Sequence, residues 1–325
     1  MTQRKLNKQQ QKRISTRQGQ ARKQTDNSGT NDSRHTGIVI QHHGKQAIVE
    51  DENKHLVNCK IRQNLGNIIC GDRVIWQLSR NEGVIVAIKE RDSVLARPDF
   101  NRKPKPFAAN INQIIIVAAV KPEPSLHLLD RYLIILETVG LPGIIVINKT
   151  DLLTDKTLAE IKNTFTLYGQ LGYQTIYTNT RITHGMDGLA SVLQGNNSIL
   201  VGQSGVGKSS IVNILIPDLD IRTGELSQYN HGKHTTSTSV LYHLPSGGDI
   251  IDSPGIRDFG IWHVSHDDII NGFREFHPFL GQCKYNNCQH TKEPDCAIKE
   301  AVTNKIISRN RYNSYTDMLA EIAQG

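Results

Sequence analysis

The sequence holds no run of eighteen apolar residues, so no segment reads as a membrane-spanning helix. It also lacks an apolar signal-peptide core near its start. A soluble, cytoplasmic chain with no membrane partner is expected. Cysteine is sparse at five residues. Cys59 and Cys70 lie in apolar stretches and read as reduced core residues. Acidic and apolar side chains are nearly missing from residues 1–35, which cannot build a core. That segment carries nine basic residues and two acidic ones, so the whole net charge of +7 resides there. The remainder balances 29 basic against 29 acidic side chains. Such an arm suits phosphate neutralisation on nucleic acid, or simply solubility.

A length of 325 residues suggests two or three domains. The most informative stretch is Gly202-Gln203-Ser204-Gly205-Val206-Gly207-Lys208-Ser209, which has the G-x-x-x-x-G-K-S pattern. The apolar run Ser198–Val201 precedes it as a strand, and Ser210–Leu215 opens like a helix. Strand, glycine turn and helix N-terminus together make a phosphate site, because backbone N–H groups and the helix dipole favour an anion there. Lys208 would reach the β- and γ-phosphates and stabilise charge during transfer, and the Ser209 hydroxyl would hold Mg²⁺. Ser210 completes the first helical turn.

Asn148-Lys149-Thr150-Asp151 follows the apolar run Ile144–Ile147. N-K-x-D at a strand end resembles the guanine-recognition motif of GTPases. The Asp151 carboxylate can accept from N1–H and the exocyclic amine of guanine, and adenine would leave it unpaired. Asn148 would bind the base edge and tie loops together, while the Lys149 stem would cover the ring. Asp252-Ser253-Pro254-Gly255, after Gly248–Ile251, resembles the D-x-x-G element: Asp252 toward Mg²⁺ and Gly255 toward the γ-phosphate. Between the P-loop and D-x-x-G lies His234-Thr235-Thr236, where Thr235 or Thr236 is the candidate to close on Mg²⁺. Ile256 stands where many GTPases carry a water-orienting glutamine, and His234 is the candidate to replace it.

The order of these elements is unusual. N-K-x-D at 148 precedes the P-loop at 202, the reverse of an ordinary small GTPase. A circularly permuted G domain explains this, since joining neighbouring termini and cutting elsewhere can preserve a core.

Five short β-like runs occupy about sixty residues before this domain: Gly37–Ile40, Gln46–Val49, Leu56–Cys59, Asp72–Trp76 and Gly83–Ile88. They fit a small barrel. Periodicity leaves OB and SH3-like topologies open, with the OB fold expected. Residues 97–110, with Pro98, Pro104 and Pro106, read as a linker. Strands at Ile114–Val120 and Gln174–Tyr177 and helices at Leu126–Val139 and Leu158–Tyr168 predict a mostly parallel α/β sheet. Thr178-Asn179-Thr180 occupies the place of the Ser-Ala base-contacting loop and matches it poorly. Helices are expected over Asp267–Phe276 and Ala297–Ala323. Between them Cys283, Cys288, His290 and Cys296 supply the ligand set of one closed, structural Cys₃His zinc site. The expected division is a basic arm 1–35, an OB barrel 36–97, a permuted P-loop GTPase domain 98–265 and a zinc-binding helical domain 266–325.

These features together resemble the RsgA (YjeQ) family of GTPases dependent on the small ribosomal subunit. Further matching stretches are Ala109-Asn110-Ile111 and Leu129-Asp130-Arg131-Tyr132-Leu133. The resemblance covers about nine-tenths of the chain. It implies a monomeric GTPase that acts late in 30S assembly, contacts 16S ribosomal RNA near the decoding centre, and leaves on hydrolysis of GTP to GDP. Two departures stand out: Asn112, where the family commonly has an acidic residue, and the degraded Ser-Ala loop.

Overall fold

Isoleucine and valine fill both faces of two central strands, β8 (Gln113–Ala119) and β9 (Gly143–Asn148), and nearly every side chain in them is buried. A strand apolar on both faces belongs inside a parallel sheet covered by helices. The structure, a computed structural model, describes residues 34–62, 65–79, 82–98, 104–219, 239–253 and 264–324. In it β9 pairs in parallel with β8 and with β10 (Gln174–Tyr177), and β8 pairs in parallel with β11 (Asn197–Val201). β11 pairs in parallel with β13 (Asp249–Asp252), and antiparallel β12 (Val240–His243) lies beyond it. Helix α1 (Leu126–Val139) is capped by the Ser125 side chain and ends at Gly140 with φ of 71°. Helix α2 (Asp155–Gln170) starts in a Thr154/Thr157 capping box. Helices α3 (Asp187–Leu193) and α4 (Lys208–Leu215) follow among the described residues.

The N-terminal strands are β1 (Arg34–His43), β2 (Gln46–Asp51), β3 (Leu56–Ile61), β4 (Arg73–Ser79) and β5 (Glu82–Ile88). Their pairing runs β1-β2-β3-β5-β4 and closes from β4 back to β1, with β3 and β5 parallel. This closed five-stranded barrel settles the topology as OB. Residues 97–110 are not a bare linker. β6 (Val94–Pro98) and β7 (Pro104–Ala109) form an antiparallel hairpin. The prolines are tolerated because a two-stranded ribbon leaves outward N–H positions unused. The hairpin is held to the barrel by Ala109 N–H donating to Cys70 O at 2.9 Å and Asn110 Nδ2 donating to Gly71 O at 2.8 Å.

Barrel and parallel sheet are continuous. β1 pairs with β12 (Val240–His243) through Gln41 and Val240, a strand absent from the sequence reading. Beside this seam, His243 bonds to Asp249 Oδ1 at 2.6 Å through Nδ1 and to Glu50 Oε1 at 2.9 Å through Nε2. Glu50 also accepts from Lys54 Nζ at 3.0 Å. The bonds to Asp249 and Glu50 push the His243 pKa up to about 9, against a smaller opposing effect of burial. A raised folded pKa stabilises fully below the unfolded value of about 6.5 and is lost as pH rises through the folded one. Wild-type stability should therefore decline as pH rises from about 6.5 through about 9. His243→Gln should flatten that decline in urea titrations across the range, and an unchanged slope would remove the seam from the account.

In the C-terminal region, Asp267–Phe276 is not one helix. Helix α5 (His266–Gly272) stops at Phe273, whose φ/ψ of −92°/92° turns it into the core, and a 3₁₀ segment, Arg274–Phe279, follows. Pro278 within that segment donates no N–H. The predicted helix Ala297–Ala323 is also divided, into α6 (Ala297–Thr303) and α7 (Arg309–Gln324), with Lys305 left-handed at φ of 60° between them. Both breaks serve packing: Phe273, Phe276 and Tyr315 meet with ring centroids 4.9–5.7 Å apart.

Candidate nucleotide site and metal centre

The glycine-rich turn runs from β11 into α4, and two of its glycines are dictated by close approach. At Gly202, φ is +144° and a Cβ would lie 2.1 Å from Val117 O on β8. At Gly207, φ is +100° and a Cβ would lie 2.4 Å from Asn148 Nδ2. The phosphate loop is thus folded directly against the N-K-x-D turn. Asn148, 1% exposed, makes the join. Its Nδ2 donates to Val206 O at 3.0 Å and its Oδ1 accepts from Thr178 Oγ1 at 3.1 Å. Its amide is occupied at both ends by protein, so the loop-tying half of its expected role is the one visible here.

Lys149 sits left-handed at φ of 64° and sends its ammonium to the carbonyls of Lys121 and Gly205. Thr150 donates from N and Oγ1 to Thr178 O at 3.2 and 3.1 Å. Asp151 begins the exposed rim of this turn, with Arg181 Nε 3.5 Å from Oδ2. Lys208 Nζ donates to Gly202 O at 2.6 Å and Gln203 O at 2.7 Å. The ammonium is therefore curled into the bowl of the loop, with Ser204 and Gly205 exposed at the rim and Val206 buried beneath. Ser209 and Ser210 are exposed in the first turn of α4. Asp252, at the end of β13, is pushed up in pKa by burial, while Lys208 pulls the other way. Ser209 and Asp252 offer the hard oxygen donors that suit Mg²⁺. Ser253 beside it is buried, its hydroxyl bonded to Ser239 at 2.8 Å. His234, Thr235, Thr236, Gly255 and Ile256 lie outside the described residues, as does the basic arm through residue 33.

The comparisons can now be set beside this geometry. A family model described as RsgA GTPase matches residues 88–262. The protein named small ribosomal subunit biogenesis GTPase RsgA 1 from Vibrio vulnificus is 44% identical over 308 residues, covering 93% of this chain and 87% of that one. The chain belongs to the RsgA GTPase family. Two solved structures share its fold. The crystal structure of YjeQ from Thermotoga maritima superimposes with a TM-score of 0.70 at 32% identity, covering 89% of this chain and 99% of that one. YloQ, described as a circularly permuted GTPase, gives a TM-score of 0.70 at 29% identity, covering 91% of this chain and 98% of that one. The permutation is visible here in the sheet: β11, which leads into the P-loop, is central and pairs with β8, although β8 and β9 precede it in the chain.

This RsgA family member also brings its four predicted metal ligands together. One ligand atom from each of Cys283, Cys288, His290 and Cys296 lies within 4.8 Å of every other. Cys283 and Cys296 sulfurs are 3.8 Å apart, and His290 Nδ1 is 3.3 and 3.4 Å from them. Tetrahedral bonds of about 2.3 Å to sulfur give a ligand–ligand edge of about 3.8 Å, so the four groups could hold a tetrahedral metal ion. Four protein ligands close the coordination sphere. Tyr312 and Tyr315 steady the cage from α7, donating to the carbonyls of His290 and Gln289, each at 2.8 Å. Sequence reasoning missed Arg181 and the His243 seam because neither belongs to a motif. Thr178 was marked only by its place in a degraded loop, and its hydroxyl bond to Asn148 explains why a threonine serves there.

Proposed function

We propose that this chain hydrolyses GTP to GDP and phosphate as an assembly factor in late maturation of the small ribosomal subunit. The observation that carries the reading is the Asn148 tie, which fixes an N-K-x-D turn against a phosphate loop in a member of the RsgA family. Asn148 to Asp151 form the base site, Gly202 to Ser210 the phosphate site, and Asp252 with Gly255 the γ-phosphate and Mg²⁺ side. Ser209, Asp252 and Thr235 or Thr236 would hold Mg²⁺, which would supply positive charge against the negative charge that develops on the phosphates. Lys208 leaves the carbonyls of Gly202 and Gln203 for the phosphates. Guanine recognition falls to Asp151. Water positioning falls to His234, since Ile256 cannot orient water.

The relative's printed name supports the small-subunit role. The OB barrel and the arm with its net charge of +7 support a ribosomal RNA partner. The chain acts as a cytoplasmic monomer, and among the described residues no helix is long and apolar enough to cross a membrane. Phosphate release should rise strongly with purified small subunits, and the rise should fade with salt as phosphate contacts are screened. Absent stimulation would favour a second reading, that guanine nucleotide is a regulatory ligand of an RNA-binding factor. Isoleucine at position 256 is the feature that favours it.

The metal is structural zinc. Metal analysis should find one zinc per chain. Its removal by a chelator should unfold the region around α6 and α7, because site formation and folding share one free energy. Near-ultraviolet circular dichroism, to which Tyr312 and Tyr315 contribute, reads this out. A full signal after verified metal loss would refute a folding role.

A further inference from the structure

Asp151 and Arg181 face one another across two loops that the structure fixes together. The Thr178–Gly185 loop is anchored to the N-K-x-D turn where Thr178 O accepts two bonds from Thr150. Inside the loop, Asn179 Oδ1 accepts from Arg181 N–H at 2.9 Å, and Asn179 N–H donates to Gly185 O at 3.0 Å. Gly185 is required for this closure, because a Cβ there would lie 2.1 Å from Asn179 O. The result places Arg181 Nε 3.5 Å from Asp151 Oδ2, with the arginine side chain 76% exposed and the aspartate 17%. Leu152 and Ile182, the next residues along, are also exposed.

We propose that Arg181 is an internal competitor for the base-recognition carboxylate and hastens release of guanine nucleotide. The inference rests on the reading of Asp151 as the guanine acceptor. A guanidinium offers a carboxylate parallel N–H donors, and guanine offers the same pattern through N1–H and its 2-amino group. Guanine engages both oxygens and must displace Arg181. Hypoxanthine has N1–H but no 2-amino group, so it needs one oxygen and leaves Oδ2 to the arginine. Arg181 therefore weakens guanine binding more than hypoxanthine binding. A long, exposed ion pair has a small effect, about two- to fivefold in affinity. An exposed cation returns readily to the carboxylate once the base tilts away, so the effect appears in the dissociation rate.

The test is stopped-flow dissociation of fluorescent GDP and IDP from the full chain and its Arg181→Ala, Arg181→Gln and Asp151→Asn variants. Asp151→Asn should lose GDP and gain affinity for XDP. Wild type failing to bind GDP, or Asp151→Asn binding it normally, overturns the base-site reading and this proposal with it. With that reading intact, both Arg181 variants should release GDP about two- to fivefold more slowly, and IDP almost unchanged. Arg181→Ala added to Asp151→Asn should change nothing further. Unaltered or faster GDP release from the Arg181 variants, or equal slowing of GDP and IDP, overturns the competitor role alone.

Discussion

Arg311→Ala should destabilise the fold by about 3–5 kcal/mol, the loss expected when one partner of a buried ion cluster is removed. Arg311 is 1% exposed on α7. Its Nη1 donates to Asp130 Oδ1 at 2.6 Å, and its Nε and Nη2 grip Glu275 at 2.6 and 3.1 Å. Asp130, itself 1% exposed, also accepts from Tyr168 OH at 2.8 Å. The guanidinium carbon stands 4.4 Å from the centre of the Phe273 ring. The three charges come from α1, the 3₁₀ segment and α7, so this cluster joins the C-terminal region to the parallel sheet's helices. Alanine leaves two carboxylates facing each other without a cation, and it opens a cavity among aromatic rings. A loss of this size is a large part of a domain's total stability of about 5–15 kcal/mol. Thermal and urea unfolding followed by near-ultraviolet circular dichroism would measure it. Adding Asp130→Asn to Arg311→Met should recover part of the loss, because it removes a stranded charge. A destabilisation under about 1 kcal/mol would mean that the cluster is hydrated and carries little.

This cluster bears on how nucleotide state reaches the rest of the molecule. In chain order α5 and the 3₁₀ segment lie between the D-x-x-G segment and the cysteine–histidine cluster. The structure adds a second link, since α5 packs on α1 through Gly272, where a Cβ would lie 2.6 Å from Ile134 Cδ1. With α1 bound both by that contact and by Arg311, the C-terminal region follows the sheet as one body. The barrel is tied to the sheet by the β1–β12 pair, by the His243 bonds beside it, and by an apolar core that Ile40, Ile48 and Cys70 share with Leu241 and Ile251. Both attachments therefore combine apolar packing with buried polar contacts.

Legibility followed the physics of each element. β8, β9 and β11 were readable because an apolar run between polar turns has few alternatives, whereas their pairing order appeared only in the fold. The cage of Cys283, Cys288, His290 and Cys296 was readable because thiols and a histidine so close in sequence have one economical use. The hairpin of β6 and β7 was hidden by three prolines that composition assigns to a linker. The break at Phe273 was hidden because only tertiary contact, with Phe276 and Tyr315, rewards leaving the helix. β12 was hidden because no motif adjoins it, whereas β13, equally short, leads into D-x-x-G. In the site, motif residues announced themselves, whereas Thr178 and Arg181 acquired meaning only when folding placed them beside Asn148 and Asp151.

Lys208→Ala should lower GTP hydrolysis by about 10²–10³-fold, the range for loss of one preorganised charge-stabilising donor. The ammonium rests on the carbonyls of Gly202 and Gln203. Those neutral acceptors hold the cation in place at small net cost. Phosphate oxygens are stronger partners for it, and charge on them grows as the bond to the γ-phosphate breaks. The lysine therefore gains most in the transition state, so the variant should lose turnover as well as affinity. Arginine should rescue poorly. A planar fork cannot replace a compact ammonium between two carbonyls of one tight turn, and Gly202 and Gly207 leave that turn no room to widen. Removal of Lys208 also strips Asp252 of the cation that opposes its burial, so Mg²⁺ dependence should shift in the same variant. Single-turnover phosphate release at saturating GTP, across a magnesium series, separates the two effects. Turnover within about tenfold of wild type would mean that another cation serves the phosphates, and the catalytic assignment of the loop would have to be rebuilt around it.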